Sequence, residues 1–226
     1  MIKISERLIA VANMVDVCDT VADIGTDHGF VPIYLVKNHV CKHAIAMDVR
    51  EGPLNRAKKY IHQEKLHMHI ETRLSDGFSK LGEMEADEVV ISGIGGELMV
   101  SILSQGERVA KTMKKLILSP QTEIYKVREY LAENGYEVEQ EIMVEDDKKY
   151  YVIMKVFPGQ TYKLSAVEAM FGKKLLEERS HVFLEYIENE KRKYIQIEKS
   201  LKQKQGEQAK QRIKEIEEIL SILNRI

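Results

Sequence analysis

The chain has 226 residues, 44% of them hydrophobic and 31% charged, with a formal charge of −2 at pH 7. That balance excludes a disordered chain, and no apolar run approaches the roughly 20 residues of a membrane span. The first residues, Met1–Arg7, lack the apolar core of a signal peptide, and Cys18 and Cys41 are too few for a disulfide scaffold or a Cys-x-x-Cys site.

Residues 5–15 place Leu8, Ile9, Val11, Ala12 and Val15 at helical spacing, with Ser5 as a candidate N-cap. Strands are expected at Thr20–Ile24, Ala44–Asp48, His69–Leu74, Glu88–Ser92, Lys115–Ser119, Glu137–Val144 and Tyr150–Phe157. Helices are expected between them, at Phe30–Val36, Pro53–Glu64, Gly95–Gln105 and Thr122–Asn134. Strands alternating with helices predict a parallel sheet. The last two strands are separated only by Glu145–Lys149, so they form a hairpin. A parallel sheet ending in one antiparallel hairpin is a Rossmann-like α/β fold of the class I methyltransferase type rather than a dehydrogenase.

Phe157-Pro158-Gly159-Gln160 ends that pattern, so an α/β domain is expected over 1–160 and a helical domain over 161–226. Beyond it, Ala209, Ile213, Ile216, Leu220 and Leu223 follow a heptad seam, as do Phe183, Ile187, Tyr194, Ile197 and Leu201. Two helices breaking near Gln203–Glu207 would make an antiparallel coiled-coil hairpin. Residues 161–226 hold 14 Lys and Arg against 11 Glu, whereas 1–160 hold 20 against 25 Asp and Glu. Net charge alone therefore does not establish nucleic-acid binding.

Several segments carry chemistry. After the first strand, Asp23-x-Gly25-x-Asp27-x-Gly29 leads directly into a helix. Glycine in such a turn allows backbone to approach a ligand. The pattern resembles motif I of S-adenosylmethionine-dependent methyltransferases; an ordinary Gly-rich βα turn is the alternative. Asp48 ends the second strand, where an acidic side chain accepts from ribose hydroxyls, or merely faces water. Ser75-Asp76-Gly77-Phe78 after the third strand can meet an adenine amino group, or is a plain Asp-Gly turn. Ser92-Gly93-Ile94-Gly95-Gly96 after the fourth strand lacks the Asn/Asp-Pro-Pro-aromatic clamp of amino methyltransferases. The target is therefore expected not to be an exocyclic amine. His67-x-His69 has no third ligand in sight, and no metal is expected.

Read together, these pieces resemble the bacterial tRNA (adenine-22, N1)-methyltransferase family over nearly the whole chain. The resemblance rests on Ser5–Leu8, Ala22–Leu35, Ser92–Gly96, Leu116–Gln121 and the hairpin from Glu141 to Lys155. Gly29, where alanine is commoner, and Ser119, where an amide is expected, depart from it. The resemblance implies methylation of adenine N1 in tRNA; the two isolated cysteines place the chain in the cytosol with both thiols reduced, and a monomer is expected. It implies S-adenosylmethionine held by Asp23, Gly25, Thr26, His28, Gly29, Asp48, Asp76, Gly77, Ser92 and Gly93. Asp27 is the candidate negative group beside the developing cationic ring, with helix capping as its alternative. Arg7, Gly95, Lys173, Lys174, Lys191, Arg192 and Lys193 are the candidate tRNA contacts. Two other readings stay open: a methyltransferase acting on another RNA, a protein or a small molecule, and a non-enzymatic protein that senses the cofactor.

Overall fold

The computed structural model describes residues 4–203 and 207–226. Seven strands form one sheet: β1 (Cys18–Ile24), β2 (Cys41–Asp48), β3 (Ile70–Leu74), β4 (Glu88–Ser92), β5 (Lys115–Ser119), β6 (Tyr136–Asp146) and β7 (Lys149–Pro158). Their order is β3-β2-β1-β4-β5-β7-β6. The first five are parallel, β7 runs antiparallel to β5, and β6 pairs antiparallel with β7. The hairpin is tighter than the expected five-residue loop. Asp146 pairs with Lys149, and the turn residues Asp147 and Lys148 have φ of 50° and 58°, as a two-residue turn matched to strand twist requires.

The helices are α1 (Glu6–Asn13), α2 (Phe30–Lys37), α3 (Glu51–Gln63), α4 (Gly96–Gln105), α5 (Glu107–Ala110), α6 (Ile124–Glu133), α7 (Ala166–Phe171), α8 (Lys173–Glu178), α9 (His181–Leu201) and α10 (Glu207–Leu223). Ser5 caps α1 by accepting from the Leu8 N–H. Central strands are buried on both faces, and so read as continuous apolar runs. Val11, Leu35, Ile61, Val90, Ile117 and Ile153 belong to one core cluster, with residues of α1, α2 and α3 against the sheet. Alternation along β4 and β5 turns Val89, Ile91, Leu116 and Leu118 to the other face, and α4 and α6 bury Met99, Leu103, Val127 and Leu131.

The chain divides into two compact units, 1–174 and 175–226, rather than at 160/161. The reason is a buried pair. Arg128 on α6 meets Glu141 on β6 through Nη2–Oε1 at 2.7 Å, both side chains being nearly inaccessible. Its Nη1 donates to the carbonyls of Ala169 (2.9 Å) and Met170 (2.8 Å). A buried guanidinium requires all its donors satisfied, so α7 belongs with the sheet although its sequence reads as the start of the helical region.

Within 175–226, α9 and α10 pack on each other. The antiparallel sense is marked by Arg179, before α9, donating to the carbonyl of Ile226, after α10. Phe183, Ile187, Ile216 and Leu223 are buried. Farther along α9 the expected seam drifts: Ile197 is 36% exposed, whereas the Glu198 side chain is 16% exposed. An α-helix slips about 20° per heptad against a strict 3.5-residue repeat, which carries position 197 outward. The expected helix break near Gln203–Glu207 is present, since α9 ends at Leu201 and α10 starts at Glu207; residues 204–206 and the side chain of Ala209 lie outside the described residues. Among the described residues no helix is long and apolar enough to cross a membrane.

Candidate active site

Open parallel sheets bind ligands at the carboxyl ends of strands where the order reverses, here between β1 and β4. Two consecutive amides, Gly25 N and Thr26 N, donate to the Met47 carbonyl at 2.8 Å. They lash the first loop to the end of β2. Gly25 has φ 85°, and a Cβ there would meet only Ile94 Cγ2 at 3.8 Å. The turn therefore demands glycine, yet leaves open space above it.

Asp23, Thr26 and Asp48 are all buried polar residues at this point. Burial pushes the Asp23 carboxyl up to about 6; the Thr26 hydroxyl opposes this and the Asp48 charge adds to it. The Thr26 hydroxyl nevertheless makes no well-aligned hydrogen bond. Asp48 is oriented by the Arg50 N–H, which donates to its Oδ1 at 2.8 Å. The buried Ser75 hydroxyl donates to the Gly77 carbonyl at 2.9 Å and accepts the Lys80 N–H at 3.1 Å, which sets the Asp76-Gly77 turn. A pocket of about 350 Å³ lies between that turn and α4, lined in part by Leu98, Ser101 and Ile102.

Asp27 is not a helix cap. Gly29 occupies the N-cap position of α2, and the Asp27 carboxylate pairs with Arg56 of α3 and with His28 Nε2 (3.2 Å). His28 also stacks on Phe30, ring centroids 4.9 Å apart, and its Nδ1 is buried without a partner.

The loops after β4 and β5 are zipped together. Gly93 N donates to Ser119 O (3.1 Å), Gln121 N to Ile94 O (2.9 Å) and Gly96 N to Thr122 O (3.0 Å). A Cβ on Gly96 would lie 2.6 Å from the carbonyl oxygens of Thr122 and Glu123, so only glycine permits this approach. Ser92 lies opposite Ser119 in the ladder, and the Ser119 hydroxyl is buried and unpartnered. Gly95 is the N-cap of α4.

Arg7, 86 residues before Gly93 in the chain, joins this place: its Nη1 and Nη2 are 4.0 Å from where a Gly93 Cβ would be, and Gln121 Nε2 is 3.9 Å from it. The guanidinium lies over the Tyr151 ring at 5.0 Å, the Arg7 N–H donates to Asp146 at 3.4 Å, and Nη1 is buried without a partner. Tyr151, Asp146 and Arg56 were not legible as site residues. They act through strands and helices distant in sequence, and no local pattern signals them. Gln121, Asp146 and Tyr151 were visible only as parts of matching segments.

The basic candidates of the C-terminal region are less uniform than their sequence suggests. Lys173 and Arg192 are exposed. Lys191 is not an exposed patch residue: its side chain is 19% exposed and pairs with Glu188 at 3.0 Å. Lys193 pairs with Glu190 at 3.3 Å. Lys174 is half-buried.

A seven-stranded sheet with this strand order, an acidic glycine loop after β1 and carboxylates after β2 and β3 defines a class I methyltransferase. The family model that matches residues 21–224 is that of tRNA (adenine(22)-N(1))-methyltransferase. The Bacillus subtilis protein of that name is 32% identical over 231 residues, covering 100% of this chain and 97% of that protein. The chain belongs to the tRNA (adenine(22)-N(1))-methyltransferase family. Two solved structures are similar throughout. A Streptococcus pneumoniae protein in complex with S-adenosyl-L-methionine has TM-score 0.84 and 33% identity, over 96% of this chain and 100% of that one. M. capricolum TrmK in complex with S-adenosyl-homocysteine has TM-score 0.80 and 28% identity, over 97% and 99%.

Proposed function

We propose that this chain transfers the methyl group of S-adenosylmethionine to N1 of adenine-22 in tRNA. The observation that carries the reading is the β1–β2 end. There a glycine at φ 85°, a buried Asp23 and Asp48, and an unpartnered Thr26 hydroxyl stand together. These groups fit a nucleoside that also bears an amino-acid ammonium. Asp48 would accept from ribose hydroxyls, Asp76 would meet the adenine amino group, and Asp23 would face the ammonium. Gly29, Gly77, Ser92 and Gly93 complete the lining, with Thr26 and His28 supplying polar atoms.

The cofactor supplies a methyl carbon on a sulfonium; the N1 lone pair forms the new N–C bond while the C–S electron pair stays on sulfur. N1 carries no hydrogen, so the protein needs no general base and works by positioning and by accommodating a cationic ring. Asp27 is the carboxylate on the donor loop suited to that charge, with Arg56 and His28 fixing its direction. Arg7 and Gly95 line the approach of the target nucleotide, where the half-buried Arg7 guanidinium suits a phosphate. Lys173, Lys174, Lys191, Arg192 and Lys193 are the candidate backbone contacts of the C-terminal region; Arg192, exposed, is the best placed of the last three.

The test is mass spectrometry of nucleosides from bulk tRNA incubated with the protein and labelled cofactor. The expected product is 1-methyladenosine, which rearranges to the N6-methyl isomer in alkali. Label found only in N6-methyladenosine before alkali, or none in tRNA, overturns the reading.

A further inference from the structure

Methylation at N1 leaves an enzyme a specific recognition problem. The Watson–Crick edge of the adenine must be open to the methyl group, so the base has to be read by its other edge. That edge presents the N6 amino group as donor and N7 as acceptor, and a carboxamide pairs with both at once.

We infer that Gln121 is the adenine-reading residue, its carboxamide pairing with N6–H and N7 of the target base so that N1 is left to react. Four observations carry this. Gln121 Nε2 is 3.9 Å from the position a Gly93 Cβ would take, at the end of β4, beside the switch point of the sheet. The residue is exposed, and among the described residues its carboxamide makes no hydrogen bond. Its backbone is nonetheless fixed, through Gln121 N to Ile94 O at 2.9 Å and the flanking bonds to Ser119 and Thr122. A free amide on a pinned backbone is pre-organised for a ligand. Fourth, the loop it faces, Ser92-Gly93-Ile94-Gly95, offers no side-chain amide of its own. The neighbouring Arg7 is a cation and only a donor, suited to phosphate; it cannot accept from N6–H. Guanine presents an acceptor, O6, where adenine presents the N6 donor, so this pairing also supplies specificity.

The inference rests on the methyltransferase reading above, and its test separates the two. The full-length protein is assayed on tRNA carrying a single 7-deazaadenosine at the target position, alongside unmodified tRNA. The 7-deaza base keeps N1 and N6 but has C–H in place of N7, and its N1 is the more basic, so a loss of rate cannot come from a weaker nucleophile. Wild-type kcat/KM should fall about 10- to 100-fold on the 7-deaza substrate, because the amide N–H that met N7 is left facing a C–H without a partner. Gln121→Ala should lose a similar factor on unmodified tRNA with S-adenosylmethionine affinity unchanged, and lose little more on the 7-deaza substrate. Equal wild-type rates on the two substrates overturn the inference, as do losses that multiply in the variant. If the variant does not fold, the wild-type comparison decides alone. Failure of the broader reading looks different: wild type then makes no 1-methyladenosine on unmodified tRNA.

Discussion

The sheet unit and the helical unit solve the problem of polar groups in opposite ways. In residues 1–174, four of the five buried side-chain polar atoms without partners among the described residues lie at the site, Thr26 Oγ1, Arg7 Nη1, His28 Nδ1 and Ser119 Oγ, the fifth being Tyr136 Oη at the start of β6. In residues 175–226, four cations among the described residues pair with glutamates three or four positions away: Lys191–Glu188, Lys193–Glu190, Lys202–Glu198 and Arg212–Glu215. That unit holds 11 Lys and Arg against 10 Glu. Buried unpaired donors are costly, so their concentration marks where a ligand is expected to complete the structure. Exposed i,i+3 and i,i+4 pairs are worth only a few tenths of a kcal/mol each, and they yield readily to phosphate.

The contrast can be tested from its strongest point downward. Gly25→Ala has room for its methyl group beside Ile94 but not the backbone freedom, at a strain of about 1–2 kcal/mol. Cofactor affinity should fall roughly 100-fold while the fold survives, because backbone can no longer approach the ligand. Calorimetry beside thermal melting reads both, and unchanged affinity removes Gly25 from the site.

Asp27→Asn should lower turnover about 10- to 100-fold with little change in cofactor affinity, below the roughly 100- to 1000-fold of a lost electrostatic stabiliser. The reduction reflects Arg56, which already neutralises part of the Asp27 charge. Single-turnover kinetics at saturating cofactor measure the effect; a full rate would show that Asp27 merely anchors α3.

Ending the chain at Lys174 should leave cofactor affinity intact and weaken tRNA binding about tenfold, with a shallower salt dependence. Ending it at Gln160 should instead destabilise the sheet unit by about 2 kcal/mol or more, since Arg128 loses the Ala169 and Met170 carbonyls. Denaturant titrations of both fragments, set beside filter binding, place the boundary. Equal tRNA affinity with and without 175–226 assigns the helices another task.

Acidity probes the buried carboxylate. With Asp23 raised to about 6, its ionised form has to be generated before it can face an ammonium group. Cofactor affinity should be flat above pH 7 and fall below pH 6, by at most tenfold per unit. The sign for stability is opposite: a raised carboxyl makes the ligand-free fold lose stability as pH climbs from the unfolded value of 3.8 to about 6. Calorimetry across pH 5–8 that shows no slope would remove Asp23 from the ammonium contact.

The smallest effect belongs to the helical surface. Arg192→Ala should weaken tRNA binding about twofold to threefold and reduce the salt slope by about one. Lys193→Ala should do less, because Glu190 competes for its charge. Equal effects from both would mean that the local pairs do not matter.

Much of this molecule is local and could be read directly. Strand β4 runs Glu88–Ser92 and β5 runs Lys115–Ser119 as expected, because a parallel sheet buried on both faces imposes continuous apolar segments. The loop Asp23–Gly29 announced itself, since φ of 85° at Gly25 and 68° at Gly29 restricts the residues that fit. The end of the sheet unit was not local: it depends on Arg128 finding carbonyls 41 and 42 residues away. Nor was the engagement of Asp27 by Arg56, the turn of Ile197 toward solvent, or the meeting of Arg7, Tyr151 and Gln121 around Gly93. Sequence by itself determined the elements, the sheet type and the cofactor loop, because hydrophobic period and backbone conformation are properties of neighbouring residues. Only the tertiary structure decided which donors stay unpaired and where they converge, because satisfying a buried polar group is settled by whichever distant segment packs beside it.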